Sequence, residues 1–137
     1  MTFKFNPTKT KYDPGNAYWM ARISLHAYEQ KDNGEPDEKA VIRLLKADDP
    51  NFLEAKGFNV KSSQGLVIKH EHCIVVAFRG TDEAADWLDN VNALSVDHSL
   101  GEVHRGFQAA LMDIWPQMKS AIRSFQPPAI VRVCQYG

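Results

Sequence analysis

Apolar positions first recur at helical spacing between Asn16 and Glu29, where Tyr18, Ala21, Leu25 and Tyr28 fall on one face. Asn16 is placed to cap that helix. A turn at Asn33-Gly34-Glu35-Pro36 leads to a second helical stretch, Asp37 to Ala47, carrying Ala40, Val41, Leu44 and Leu45. From Gly57 the period changes. Phe58 with Val60, then Leu66 to Ile68, then Ile74 to Phe78 predict three strands. His70-Glu71-His72 falls between the last two as a hairpin tip, with both imidazoles expected in solvent. Residues Asn92 to Gly101 read as a loop. A long helix is expected from Arg105 to Phe125, with Phe107, Leu111, Ile114, Trp115, Met118 and Ile122 on its apolar side and a kink at Pro116. Gln126-Pro127-Pro128 ends it, and Ala129 to Val133 predicts one more buried strand.

Helices, a hairpin, then helix and strand point to an α/β protein. The pattern shows no repeat and no linker, so residues 1–137 are expected to be a single domain. The last strand has no helix after it, so the expected architecture is an incomplete mixed sheet flanked by helices.

The segment after Ile74 to Phe78 concentrates the candidate chemistry. A continuous apolar run fits a central strand covered on both faces. It ends in Arg79-Gly80-Thr81, where glycine permits close approach to the backbone. Thr81 offers a backbone N–H and a hydroxyl at the strand's carboxyl end, the place where ligands sit on open α/β sheets. Two donors there suit an oxyanion. Capping the next helix is the other reading of Thr81, and on composition alone it is the commoner one. In that next helix Ala84, Trp87, Leu88 and Val91 form an apolar stripe, while Asp82, Glu83, Asp86 and Asp89 lie opposite. Such a helix either lies on the core or acts as a lid over an apolar pocket.

Composition narrows the classes. Hydrophobic residues make up 44% and charged residues 24%, ordinary for a globular chain. Sixteen basic residues stand against seventeen acidic ones, so charge gives no case for nucleic acid or for anionic lipid. The first residues lack a signal peptide's apolar core and no stretch is long enough to span a bilayer, so the expected location is cytoplasmic with no transmembrane segment. Cys73 and Cys134 do not make a disulfide framework. His70 and His72 beside Cys73 could draw a metal ion, but other ligands at supporting spacing are missing, so neither metal nor cofactor is expected.

Phe78-Arg79-Gly80-Thr81, then Asp86-Trp87-Leu88, then Val103-His104-Arg105-Gly106-Phe107 resemble, in this order, the class 3 lipase family. Ala21 to Tyr28 and Gln64 agree with that resemblance, which covers about residues 16 to 125. It implies an α/β-hydrolase fold, cleavage of acylglycerol esters and related lipids, Thr81 as an oxyanion-hole donor and residues 82 to 91 as a lid with Trp87 on its inner face. It also implies a lipid or ester substrate for the intact parent, and contact with a lipid interface through the lid. His104 is assigned a structural role.

The family's nucleophile lies on a G-x-S-x-G elbow, a sharp strand-to-helix turn. It is due after Ala129 to Val133, where this chain has only Cys134-Gln135-Tyr136-Gly137, and no G-x-S-x-G occurs anywhere in it. The acid and histidine, later still in the family order, are missing as well. The expectation is a truncated lipase-like domain without a Ser-Asp-His triad, from a premature stop, a frameshift near Ala129 or deliberate shortening. Asp97-His98-Ser99-Leu100-Gly101 differs from an elbow at its first position, but Asp97 has bulk where glycine is needed. After Ser99 the only histidine is His104, and the nearest later acids are Glu102 and Asp113. Cys134 lacks an elbow and an assigned partner. The alternatives are a non-catalytic module binding lipid or a partner protein, or a small esterase using Ser99.

Overall fold

The computed structural model describes residues 3–61, 63–79, 95–98, 101–125 and 131–136. The first helix, α1 (Pro14–His26), is capped by Asp13 rather than Asn16. Asp13 has extended backbone, and its Oδ1 accepts the Asn16 backbone N–H at 2.9 Å. Pro14 follows at a first-turn position that needs no donor. Asn16 does different work inside the first turn. Its Oδ1 accepts the Asn6 backbone N–H, and its Nδ2 donates to the Asn6 carbonyl, both at 2.8 Å. One side-chain amide thereby pairs with a backbone residue as a neighbouring strand would. Trp19 Nε1 donates to the Phe3 carbonyl at 2.7 Å, so the N-terminal segment is drawn along α1 and Phe5 enters the core.

The buried face of α1 is not the one expected from spacing. Trp19, Ile23 and Ala27 are buried, whereas Tyr18, Ala21 and Leu25 face outward, with Leu25 55% exposed. Both sets recur at helical spacing because this helix carries apolar residues around most of its circumference. Trp19 decides between them. It is the largest side chain available, and its ring lies tilted 5.8 Å from Phe5 and stacks 5.5 Å from Phe52. The second helix, α2 (Glu38–Lys46), follows expectation: Asp37 caps it by accepting the Ala40 N–H at 3.1 Å, and Val41 and Leu45 are fully buried.

Strand β1 (Phe52–Val60) begins well before Gly57. A register shift between Phe52 and Glu54 breaks the period-two pattern, which is why the first part of the strand is illegible in the sequence. Strands β2 (Ser63–His70) and β3 (Ile74–Arg79) complete an antiparallel meander. Residues read as a loop include β4 (Ser95–His98), which pairs antiparallel with β5 (Gly101–His104) in a separate two-stranded sheet. Helix α3 (Arg105–Ser124) contains Pro116 and leads toward β6 (Val131–Tyr136), which starts later and runs further than the expected strand. It pairs parallel with β3, giving a four-stranded order β1-β2-β3-β6.

Alternation in β2 and β3 sorts side chains to two faces. Leu66, Ile68, Cys73, Val75 and Ala77 pack with α1, α2 and Phe52 on one side. Val67, Ile74 and Val76 pack with Ile114, Met118, Ala121 and Phe125 of the α3 segment on the other. The chain is therefore of the α/β class, a mixed sheet covered by helices on both faces. Trp115, expected on the apolar side of α3, is 37% exposed, because Ile114, Met118, Ala121 and Phe125 form the inward stripe.

Candidate functional site

Strand β3 lies inside the sheet between β2 and β6, and its last residue, Arg79, stands opposite Tyr136 of β6. Because those two strands are parallel, their carboxyl ends lie side by side, the edge at which α/β sheets place ligands. Gly80, Thr81 and the expected lid residues Ala84, Trp87, Leu88 and Val91 lie outside the described residues, as does Ser99.

What the structure does place at this edge centres on Arg79. Its guanidinium lies over the Tyr28 ring at 5.1 Å. Nη1 donates to Gln64 Oε1 at 2.8 Å. Gln64 is fixed in turn, its Nε2 donating to the Gly34 carbonyl at 3.1 Å and its Oε1 accepting Gln30 Nε2 at 2.9 Å. The turn that supplies Gly34 is closed by the bridge between Gln30 and Pro36. Arg79 Nε is buried and has no hydrogen-bond partner among the described residues. The corner is thus a cation held by an aromatic ring and an amide, with donors left over. It can stabilise negative charge; among the described residues it offers no nucleophile and no base.

A second cluster overturns the reading of His70 as a solvated hairpin residue. Its side chain is 1% exposed, packed edge-on against Phe52 at 4.7 Å and Phe5 at 5.1 Å. Nε2 lies 3.1 Å from Asp49 Oδ2, and Nδ1 accepts the His72 backbone N–H at 3.1 Å. His72 alone of the two is exposed. An Asp–His pair occurs in hydrolytic triads, but here both ring nitrogens are engaged within a hairpin and its neighbouring turn.

A third cluster ties α1 to the end of α2. Arg22 stacks over Trp19 at 4.8 Å, donates through Nη2 to the Leu44 carbonyl at 2.9 Å and pairs through Nη1 with Asp48. Its Nε reaches His26 Nε2 at 3.4 Å. Burial holds the His26 pKa below the ordinary 6.5, the Arg22 charge lowers it further, and Glu29 opposes both.

Among the described residues no group of three or more His, Cys, Asp and Glu side chains is gathered to hold a metal ion. Cys134, expected at a strand end, lies within β6 opposite Ala77. His104 closes β5 next to the start of α3. The segments on either side of Ser99 are both strands, with His98 opposite Gly101, whereas an elbow needs a strand on one side and a helix on the other.

The chain matches no family model and no curated protein. The sequence reading missed the Arg79 corner and the Asp49–His70 pair for the same reason: each joins residues far apart in the chain. Arg79 gave a partial signal, a charged residue ending an apolar strand.

Proposed function

We propose that this chain is an N-terminal portion of a class 3 lipase-like carboxylester hydrolase acting in lipid metabolism. It carries oxyanion and lid elements but no Ser-Asp-His triad of its own. The fold of the parent would be the α/β-hydrolase fold. The reading rests on the ordered series from Phe78-Arg79-Gly80-Thr81 through Asp86-Trp87-Leu88 to Val103-His104-Arg105-Gly106-Phe107. One structural observation carries it further: β6 pairs parallel with β3, so that Arg79 and Tyr136 end neighbouring strands. A nucleophile elbow entered from β6 would begin at the same carboxyl edge of the sheet at which β3 ends.

In the parent, Thr81 would stabilise the oxyanion and residues 82 to 91 would cover the acyl group at a lipid interface. Triad removal lowers turnover by several orders of magnitude. Among the described residues no helix is long and apolar enough to cross a membrane.

The test is hydrolysis of a short-chain nitrophenyl ester by the purified 137-residue chain. The expected result is no turnover above the buffer rate. Turnover abolished by Ser99→Ala would overturn the reading in favour of a small esterase.

A further inference from the structure

We propose that the Nε edge of Arg79 is a recognition site for the carboxylate of an acyl ligand. The guanidinium is already oriented. Tyr28 supports its face at 5.1 Å, and Gln64 takes Nη1 at 2.8 Å while itself held by Gly34 and Gln30. An arginine fixed in this way has lost most of its rotamer freedom before any ligand arrives, so little more is lost on binding. Among the described residues Nε is left buried without an acceptor, and Arg79 forms no ion pair. A buried N–H without a partner is disfavoured and uncommon in folded chains.

The geometry of the vacant donors names the ligand. With Nη1 engaged by Gln64, the edge that remains is formed by Nε and Nη2. Two parallel N–H groups on that edge match the two oxygens of a carboxylate in a bidentate fork. One guanidinium balances one carboxylate charge, whereas a phosphate would bring a second. Arg79 is only half-buried. The carboxylate follows from Arg79 alone; the acyl chain behind it rests on the lipid-ester reading above.

The probes are sodium dodecanoate, sodium acetate and dodecanol, each titrated into the 15N-labelled full chain while the Arg79 Nε–H resonance is followed. Dodecanoate is expected to shift that resonance saturably and to bind at least about tenfold more tightly than dodecanol, a difference of about 1.4 kcal/mol. Arg79→Lys keeps the charge but not the fork, and is expected to lose most of the preference. Acetate shifting the resonance as readily as dodecanoate would support the carboxylate site and sink the acyl chain, and with it the lipid reading. Dodecanol binding as tightly as dodecanoate, or a preference that survives Arg79→Gln, would overturn the proposal while leaving acyl binding in place. If the variants do not fold, the wild-type resonance still decides: no shift with any carboxylate overturns the site.

Discussion

Asp49 Oδ2 stands 3.1 Å from His70 Nε2, and the far nitrogen of the same ring accepts the His72 backbone N–H at 3.1 Å. An acceptor at Nδ1 fixes the neutral tautomer: the proton is on Nε2 and is donated to Asp49. Asp49 also accepts the Asn51 N–H at 2.9 Å, and the Glu71 N–H donates to the Asn51 carbonyl at 2.9 Å. The imidazole therefore fastens the turn before β1 to the β2–β3 connection, with Phe5 and Phe52 against its ring.

His70→Ala removes the ring contacts and strands two polar groups, so it is expected to lower unfolding free energy by about 3 kcal/mol. His70→Phe keeps the ring and loses only the two hydrogen bonds, an expected loss of about 1–3 kcal/mol. Urea unfolding of the two variants, compared side by side, separates packing from polar satisfaction. Equal losses would mean that the hydrogen bonds carry nearly all of the effect.

Gly15 and Gly34 should fail for different reasons when changed to alanine. A Cβ at Gly15 would stand 2.2 Å from the Lys4 carbonyl oxygen, so the N-terminal segment must move and Phe5 must leave its place. About 2 kcal/mol is expected, with a red shift of Trp19 emission. A Cβ at Gly34 meets nothing within 4 Å, but the backbone has φ +83°. About 1 kcal/mol is expected there, with unchanged emission.

Asp37 caps α2 and Asp13 caps α1. Asp37→Ala is expected to cost about 1 kcal/mol. The Asn16 backbone N–H, then the Lys9 ammonium, hold the Asp13 carboxyl below the ordinary 3.8, with burial opposing. The folded chain thus releases this proton more readily than the unfolded one. Its stabilisation is full above pH 3.8 and is lost as pH falls through the lowered folded value. Acid unfolding of Asp13→Asn should show a shallower loss of stability over that window than the wild type.

Much of this fold is legible in the sequence, and the exceptions share a cause. The start of α2 near Asp37, the apolar runs of β2 and β3 and the length of α3 come from local patterns. The buried face of α1 does not, because Tyr18, Ala21 and Leu25 match helical spacing as well as Trp19, Ile23 and Ala27 do. Only packing against Phe5 and Phe52 chooses. The start of β1 is hidden by its bulge and the β4–β5 hairpin by its short polar strands. At the candidate site, Arg79 was legible as the end of a strand, but Tyr28, Gln30, Gly34 and Gln64 reach it only through the tertiary fold.

His26 makes the link between α1 and α2 sensitive to acid. Its folded pKa is lowered from 6.5 by burial first and by Arg22 second. The folded state therefore binds the proton less readily than the unfolded state. The stabilising contribution is complete above pH 6.5 and declines as pH falls from there through the lowered value. His26→Gln should flatten the dependence of the urea midpoint on pH between about 5 and 7.5. An unchanged slope would assign the acid sensitivity to another group.

The central claim is that this chain is one part of a class 3 lipase-like hydrolase whose nucleophile elbow follows β6. The nucleotide sequence from the codons of Gln126 onward, translated in all three frames, tests it most directly. The account predicts a G-x-S-x-G elbow, in this frame beyond Gly137 or in another frame, followed further along by an aspartate and then a histidine. If no frame encodes an elbow, the lipase reading is contradicted, and the chain must be understood as a binding module or as an enzyme that uses residues within its own 137.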